Sequence, residues 1–240
     1  MTELILSDIT RMAGGYCVIG LERKGEKFRS IRPLPPAGNA WPPSFAFNRG
    51  DCLQFSLSSV PLIKPHIEDR RSVAAPSQTG KVTEEELLEC LRGAEVAEKL
   101  DQLFGSPLRS GRTGASISAP KCFRSICGAE VQKIRLKWEV DQLRAYLALR
   151  AGEVLPDLPV VDRSWHCFVE SLLETIQGAN RVYRVNRYLS TRMQEVAGTF
   201  VRLGLTRPHP PRWGRCQVMV DTLFPIPRKS WLEEFRSHQD

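Results

Sequence analysis

No stretch of the 240 residues approaches the roughly 18 consecutive apolar side chains that a bilayer-spanning helix needs, so no membrane role is expected. The opening residues MTELILSDIT carry early acids and lack both a basic leader and a small-residue cleavage site, which makes the cytoplasm the expected compartment. Cysteine is present but ungrouped. Its seven copies (Cys17, Cys52, Cys90, Cys122, Cys127, Cys167 and Cys216) are odd in number and scattered through apolar stretches, the pattern of reduced core thiols and not of a disulfide framework. Histidine is scarce, with four copies, and Cys122 and Cys127 have no second pair at ligand spacing, so neither a metal nor a cofactor is expected. Also missing are the G-x-S-x-G elbow, the P-loop, the dinucleotide fingerprint, HExxH and the kinase set, and no catalytic residue is assigned.

What is present is an ordinary globular composition, 42% hydrophobic and 25% charged, which excludes wholesale disorder. The net charge of +7 is unevenly spread. Residues 1–76 carry +3, residues 77–120 carry −2 and residues 121–240 carry +6. Between Arg181 and Arg215 stand eight arginines, one acid (Glu195) and no lysine. A cluster of this kind points to an anionic partner.

The first 70 residues predict short strands punctuated by turns. Leu4–Leu6, Tyr16–Leu21 and Lys27–Arg32 are separated by Gly14-Gly15 and by the charged tip around Gly25. PLPPAGNAWPP, with five prolines, forms a stiffened loop, and Cys52–Leu57 alternates again after Arg49-Gly50-Asp51. Ser72–Lys81 is small and polar and predicts a loose loop. Thr83 with Glu86 forms a capping box that starts a helix whose apolar face runs through Leu87, Leu88, Leu91, Leu100, Leu103 and Phe104 to Gly105. SPLRSGRTGASISAP, residues 106–120, predicts the linker between domains. Beyond it, Val131–Trp138 and Leu143–Leu149 alternate as paired strands. Ser164 is expected to cap a helix that closes at Gly178, and Thr199–Thr206 and Arg215–Phe224 form two more strands. A last helix is expected from Ser230, with Glu233 in its capping box. The reading is a mostly β chain of two small OB-like barrels: residues 1–76, an acidic helix and Gly/Ser-rich linker at 77–120, and residues 121–240 with inserted and C-terminal helices.

Several stretches resemble those of a known family. LILSDIT with GGYCVIG, SIRPLPPAGNAW, and GDCLQFSL followed by PHIED in the front half, then KIRLKWE, FVRLGLTRP and RCQVMVDTLFPIP in the back half, together resemble the bacterial dual-OB-domain proteins. The resemblance covers most of the chain except the linker and residues 157–190. It implies two OB folds and a nucleic-acid partner, hints at a mobile-element or anti-phage defence locus, and implies no activity. LRAYLALRAGEVLP is more apolar than that family's second strand, and RPHPPRWGRC is proline-rich with a tryptophan.

The leading binding candidates are Arg181, Arg184, Arg187, Arg192, Arg202, Arg207, Arg212 and Arg215 with Tyr183, Tyr188 and Trp213: guanidinium forks suit phosphates and aromatic rings suit bases. On a helix, Arg181, Arg184 and Tyr188 share a face. The alternative is a solvated surface whose arginines pair with the acidic helix. In the front half, Arg29, Arg32 and Trp41 fall where OB folds bind ligands, or else Trp41 merely packs the proline loop onto the barrel and Arg32 serves carbonyls there. His66, Glu68 and Asp69 form the cluster that most resembles an active site; acid–base chemistry or a metal is one reading, a hydrogen-bonded structural corner the other. The expected function is therefore sequence-tolerant, phosphate-dominated binding of nucleic acid, single-stranded RNA or DNA in preference to duplex, without catalysis. The rival readings are an adaptor subunit docking an acidic protein partner in a complex, and a nucleotide sensor using the neighbourhood of His66 and Arg32.

Overall fold

The computed structural model describes residues 1–61, 63–111, 114–208 and 214–226 and is mostly β, with 50% strand and 20% helix. The strands β1 (Thr2–Met12), β2 (Gly15–Lys24) and β3 (Lys27–Leu34) form an antiparallel meander. β4 (Asp51–Phe55) returns beside β1 and continues through Ser56 alone into β5 (Leu57–Ser59). β5 pairs antiparallel with β6 (Asp69–Ser72), which lies parallel to β3 with Arg32 opposite Asp69. That parallel contact curls the sheet into a barrel. β7 (Ser77–Lys81) pairs with β4, so the stretch expected to be a loose loop is a strand. Its residues are all exposed, which removed the alternation that would have revealed it.

Two helices follow, α1 (Glu84–Arg92) and α2 (Leu100–Phe104). The Thr83–Glu86 capping box forms as expected, but the single long helix does not. Gly93 ends α1, the carbonyl of Gly93 accepts from the Phe28 N–H at 3.2 Å, and the extended chain beyond it bonds Gly128 through Ala97 N–H and Glu95 C=O. Tertiary hydrogen bonds outcompete propensity there. The stretch expected to be a linker is likewise structured. β8 (Arg109–Gly111) and β9 (Gly114–Ser118) pair antiparallel, and Ala115 and Ile117 of β9 are buried, a signal that flanking serines and glycines concealed.

The back half repeats the front topology. β10 (Ile126–Glu139), β11 (Gln142–Leu149) and β12 (Val154–Val160) form the meander. The helices α3 (Arg163–Thr175) and α4 (Arg181–Gln194) are inserted before β13 (Gly198–Leu205) and β14 (Arg215–Ile226). β13 returns beside β10, β14 pairs with β13 and with β9, and a parallel contact between Val160 and Val220 closes the ring. Both halves are thus OB-like barrels with the same connectivity. β12 escaped the sequence reading because Pro156 and Pro159 break its pattern. The N-cap of α3 is Asp162, whose carboxylate accepts from Ser164 N–H at 2.9 Å and Trp165 N–H at 3.4 Å, so Ser164 is inside the helix. The helix expected from Ser230 lies outside the described residues. Among the described residues, no helix is long and apolar enough to cross a membrane.

Each barrel has its own core, around Leu4, Leu6, Val18, Phe45 and Phe55 in front and around Leu136, Leu147, Trp165 and Leu203 behind. A third apolar cluster spans both: Leu21 from β2, Leu87 and Leu91 from α1, Phe200 from β13 and Phe224 from β14. α1 is therefore a wedge between barrels. β1 shows the same union, burying five consecutive residues from Leu6 to Thr10 because the second barrel covers its outer face.

Candidate nucleic-acid interface

The arginine-rich stretch divides according to where the fold turns each side chain. α4 buries Val185, Leu189 and Met193 against the second barrel, so residues on its other faces meet solvent. Arg181, Arg184, Arg187 and Tyr183 are exposed there, Tyr183 to 67%. Arg184 donates to the carbonyl of Gln177 at 3.3 Å. Tyr188 packs on Phe168 with ring centres 6.3 Å apart, and Arg192 lies over Tyr188 and beside Glu195. Arg215 is tied to Ser116 at 2.9–3.2 Å. Arg212 and Trp213 lie outside the described residues.

Three candidates are corrected outright. Arg202 is 0% exposed, sits 3.4 Å from the equally buried Asp8 and donates to Ser30 Oγ at 2.9 Å. Arg32 is 6% exposed and donates to Asp69 at 2.9 Å and Ser125 at 3.0 Å. Trp41 is 6% exposed, donates from Nε1 to the Pro33 carbonyl and packs against Phe45 and Phe55. It also exchanges two backbone hydrogen bonds of 2.8 Å with Tyr16, at a crossing so close that a Cβ on Gly15 would fall 2.0 Å from the Trp41 carbonyl oxygen. None of the three can reach a ligand. Arg29 is exposed but held by Glu22 at 2.5 Å, and Arg207 is half exposed and held by Asp69 at 2.7 Å.

His66, Glu68 and Asp69 do come together, but inside the seam between barrels. Arg32 bonds His66 Nδ1 at 2.7 Å, and both oxygens of Glu68 accept from Ser125, its N–H and its Oγ, at 2.8 Å each. Burial, with the charges of Arg32 and Arg207, pushes the His66 pKa down to about 3, so the ring is neutral. The imidazole is thus enclosed and bonded to an arginine, with His66 only 3% exposed. Nearby, burial and the Asp8 carboxylate push the Asp221 pKa up to about 8. Gly204 makes room for this carboxyl, since a Cβ there would lie 2.1 Å from Asp221 Oδ2.

An open basic surface outside the sequence candidates lies on β10. On β10 the side chains alternate from Lys133 to Glu139: Ile134, Leu136 and Trp138 are buried while Lys133, Arg135 and Lys137 face out. Register places Arg135 opposite Tyr146 and Lys137 opposite Arg144 on β11. The Arg135 guanidinium lies 4.6 Å from the Tyr146 ring centre. Lys137 pairs with Glu139 and Arg144 with Asp157, whereas Lys133 and Arg135 have no ion pair among the described residues. α4 borders this face. Asn186 accepts from Trp138 N–H at 2.6 Å and donates to its carbonyl at 3.0 Å, capping the free edge of β10. Further along, Ser190, Met193 and Gln194 line a groove with Gln132, Lys133 and Arg135. Helical spacing of four, three and four puts Tyr183 and Arg187 on the same flank as Ser190 and Gln194. The signal was legible in QKIRLKWE, whose polar half carries a cation at every second position.

No protein-family model matches this chain, and no curated protein matches it. Among solved structures, a murine DNA-binding protein bound to double-stranded DNA aligns over 93% of this chain and 95% of its own, at 7% identity and a TM-score of 0.32. A likeness of that size carries no argument about function.

Proposed function

We propose that this protein binds single-stranded nucleic acid on the outer face of its second barrel, without turnover. The observation that carries the proposal is the row Lys133, Arg135 and Lys137 on β10, with Arg135 stacked on Tyr146 and with Arg187 and Tyr183 on the bordering flank of α4. Alternate strand positions repeat roughly every 7 Å, close to the spacing of phosphates along an extended strand. Lysine and arginine take the phosphates, and the exposed Tyr183 and the half-buried Tyr146 offer ring surface on which any base can stack, so recognition tolerates sequence. Duplex does not splay its bases for such stacking, which favours single strands. Catalysis is left out of the proposal, in keeping with the burial of His66, Glu68 and Asp69. Membership of the dual-OB-domain family is part of the proposal and rests on the sequence stretches described above.

The test is fluorescence anisotropy with labelled dT and U oligonucleotides across 50–200 mM salt. Log affinity is expected to fall linearly with log salt, and Lys133→Ala with Arg135→Ala to reduce that slope by about 1.4. Tyr146→Ala should cost about 1–3 kcal/mol, roughly 5- to 150-fold in affinity. Absence of binding to any oligonucleotide at 50 mM salt overturns the proposal.

A further inference from the structure

A second basic surface crosses the seam between barrels. The front barrel contributes Ile63, 61% exposed, and the exposed Lys64. The segment leading into β10 contributes Lys121, Phe123 and Arg124, with Phe123 50% exposed. Arg207, just beyond β13, completes the group with its side chain 41% exposed. These residues are neighbours in space. Lys64 lies within electrostatic reach of the Cys122 thiol, and His66 N–H bonds the Ile63 carbonyl at 2.8 Å. Arg207 reaches Asp69, the same carboxylate that holds Arg32.

The buried clamp described above lies directly beneath. Ser125, gripped by Glu68 and Arg32 from the other barrel, is the residue next to Arg124, so the clamp fixes where Phe123 and Arg124 stand. The Phe123 ring is itself held, by Arg124 at 4.7 Å from its centre and by Gly105, where a Cβ would come within 1.9 Å of the ring. Arg124 also donates to the Gln102 carbonyl at 3.2 Å. The local carboxylates are consumed, Glu68 by Ser125 and Asp69 by Arg32 and Arg207. Among the described residues, Lys64, Lys121 and Arg124 have no carboxylate at ion-pair distance. Surface cations beside a half-exposed ring, three of them with no carboxylate partner among the described residues, suit a ligand that presents phosphates and an apolar plane together.

We propose that this seam is a second contact for the same nucleic acid: a base packs on the exposed part of Phe123 while Lys64, Lys121 and Arg124 take the flanking phosphates. The inference rests on the nucleic-acid reading of the second barrel and extends it to a site that neither barrel makes alone.

The experiment compares the wild-type protein with Lys64→Glu/Lys121→Glu and with Phe123→Ala, using a 30-nucleotide single strand and the salt titration above, and with thermal melts to establish folding. Lys64 and Lys121 are exposed and have no ion pair among the described residues, so their variant is expected to fold. Charge reversal should weaken binding at least tenfold and lower the salt slope by about 1.4. A photo-crosslinking 4-thiouridine strand should attach to the peptide bearing Phe123, and Phe123→Ala should abolish that adduct. If the wild type binds while both variants keep its affinity and slope, the seam contact is overturned and the β10 face stands. If the wild type binds no oligonucleotide, the nucleic-acid reading itself fails. Capture of poly-glutamate in place of any oligonucleotide, lost on charge reversal, would make the seam a protein-docking surface and overturn this inference.

Discussion

At the scale of single residues, the chemistry of a side chain left its role open. Arg202 and Arg187 are the same residue type fifteen positions apart, yet one neutralises a buried aspartate and the other faces water. Asp8 decides the difference, and it comes from the opposite end of the chain. The buried titratable groups carry a pH dependence. A carboxyl whose folded pKa is raised contributes stability that is lost as pH rises toward that value, so Asp221, at about 8 against an ordinary 3.8, weakens the fold progressively across that interval. His66, at about 3 against 6.5, acts oppositely: its contribution is complete above 6.5 and lost as pH falls. The two oppose each other in mild acid, and between pH 6.5 and 8 Asp221 acts alone of the pair. Thermal stability should therefore fall over that range, by an order of 2 kcal/mol or roughly 4–8 °C in Tm. Asp221→Asn, of nearly the same shape, should flatten the dependence; a variant that melts with the wild-type pH profile would contradict this assignment.

At the scale of elements, strands were legible where one face met water and neither proline nor a run of serine and glycine interrupted the alternation, as they did in β12 and β9 respectively. β10 shows it best, since its apolar positions predicted a strand and its polar positions, on the same count, spelled out the basic row. Elements covered on both faces, such as the middle of β1, or exposed on both, such as β7, do not alternate and were misjudged or missed. The capping box at Thr83 was readable because its hydrogen bonds are local. The end of α1 was not, because distant partners, Phe28 and Gly128, impose it. α1 itself is expected to hold both barrels. Leu91 is fully buried in the cluster shared by β2, β13 and β14, so Leu91→Ala should cost about 2–5 kcal/mol. Hydrogen exchange followed by mass spectrometry should show faster exchange in β1–β3 and β13–β14 together; loss confined to one barrel would refute the wedge role.

At the scale of the whole molecule, the two barrels are one unit. The seam holds the Asp8–Arg202 and Asp162–Arg49 pairs, the Arg32–Ser125–Glu68 clamp and the shared apolar cluster, while Arg11 bonds Glu170 with both terminal nitrogens near its rim. Breaking a buried pair by removing one partner typically costs 3–5 kcal/mol, so separating the barrels would strand several charges at once. Calorimetry should show a single cooperative transition for the full chain, and Arg202→Ala should lower its midpoint without splitting it. Two resolved transitions in the wild type would mean that the seam is a loose contact. A rigid seam matters for the proposed binding, because it would hold surfaces from both barrels at fixed separation.

From the sequence alone came the mostly β character, most strands, the helix start at Thr83, the tight turns and a positive surplus concentrated in the back half, all properties of local period, local hydrogen bonding or simple count. Only the tertiary structure decided which cations are free to meet a ligand. A charge is buried or exposed according to whether a carboxylate from a distant segment is brought within reach of it, and no pattern of neighbours along the chain records that meeting.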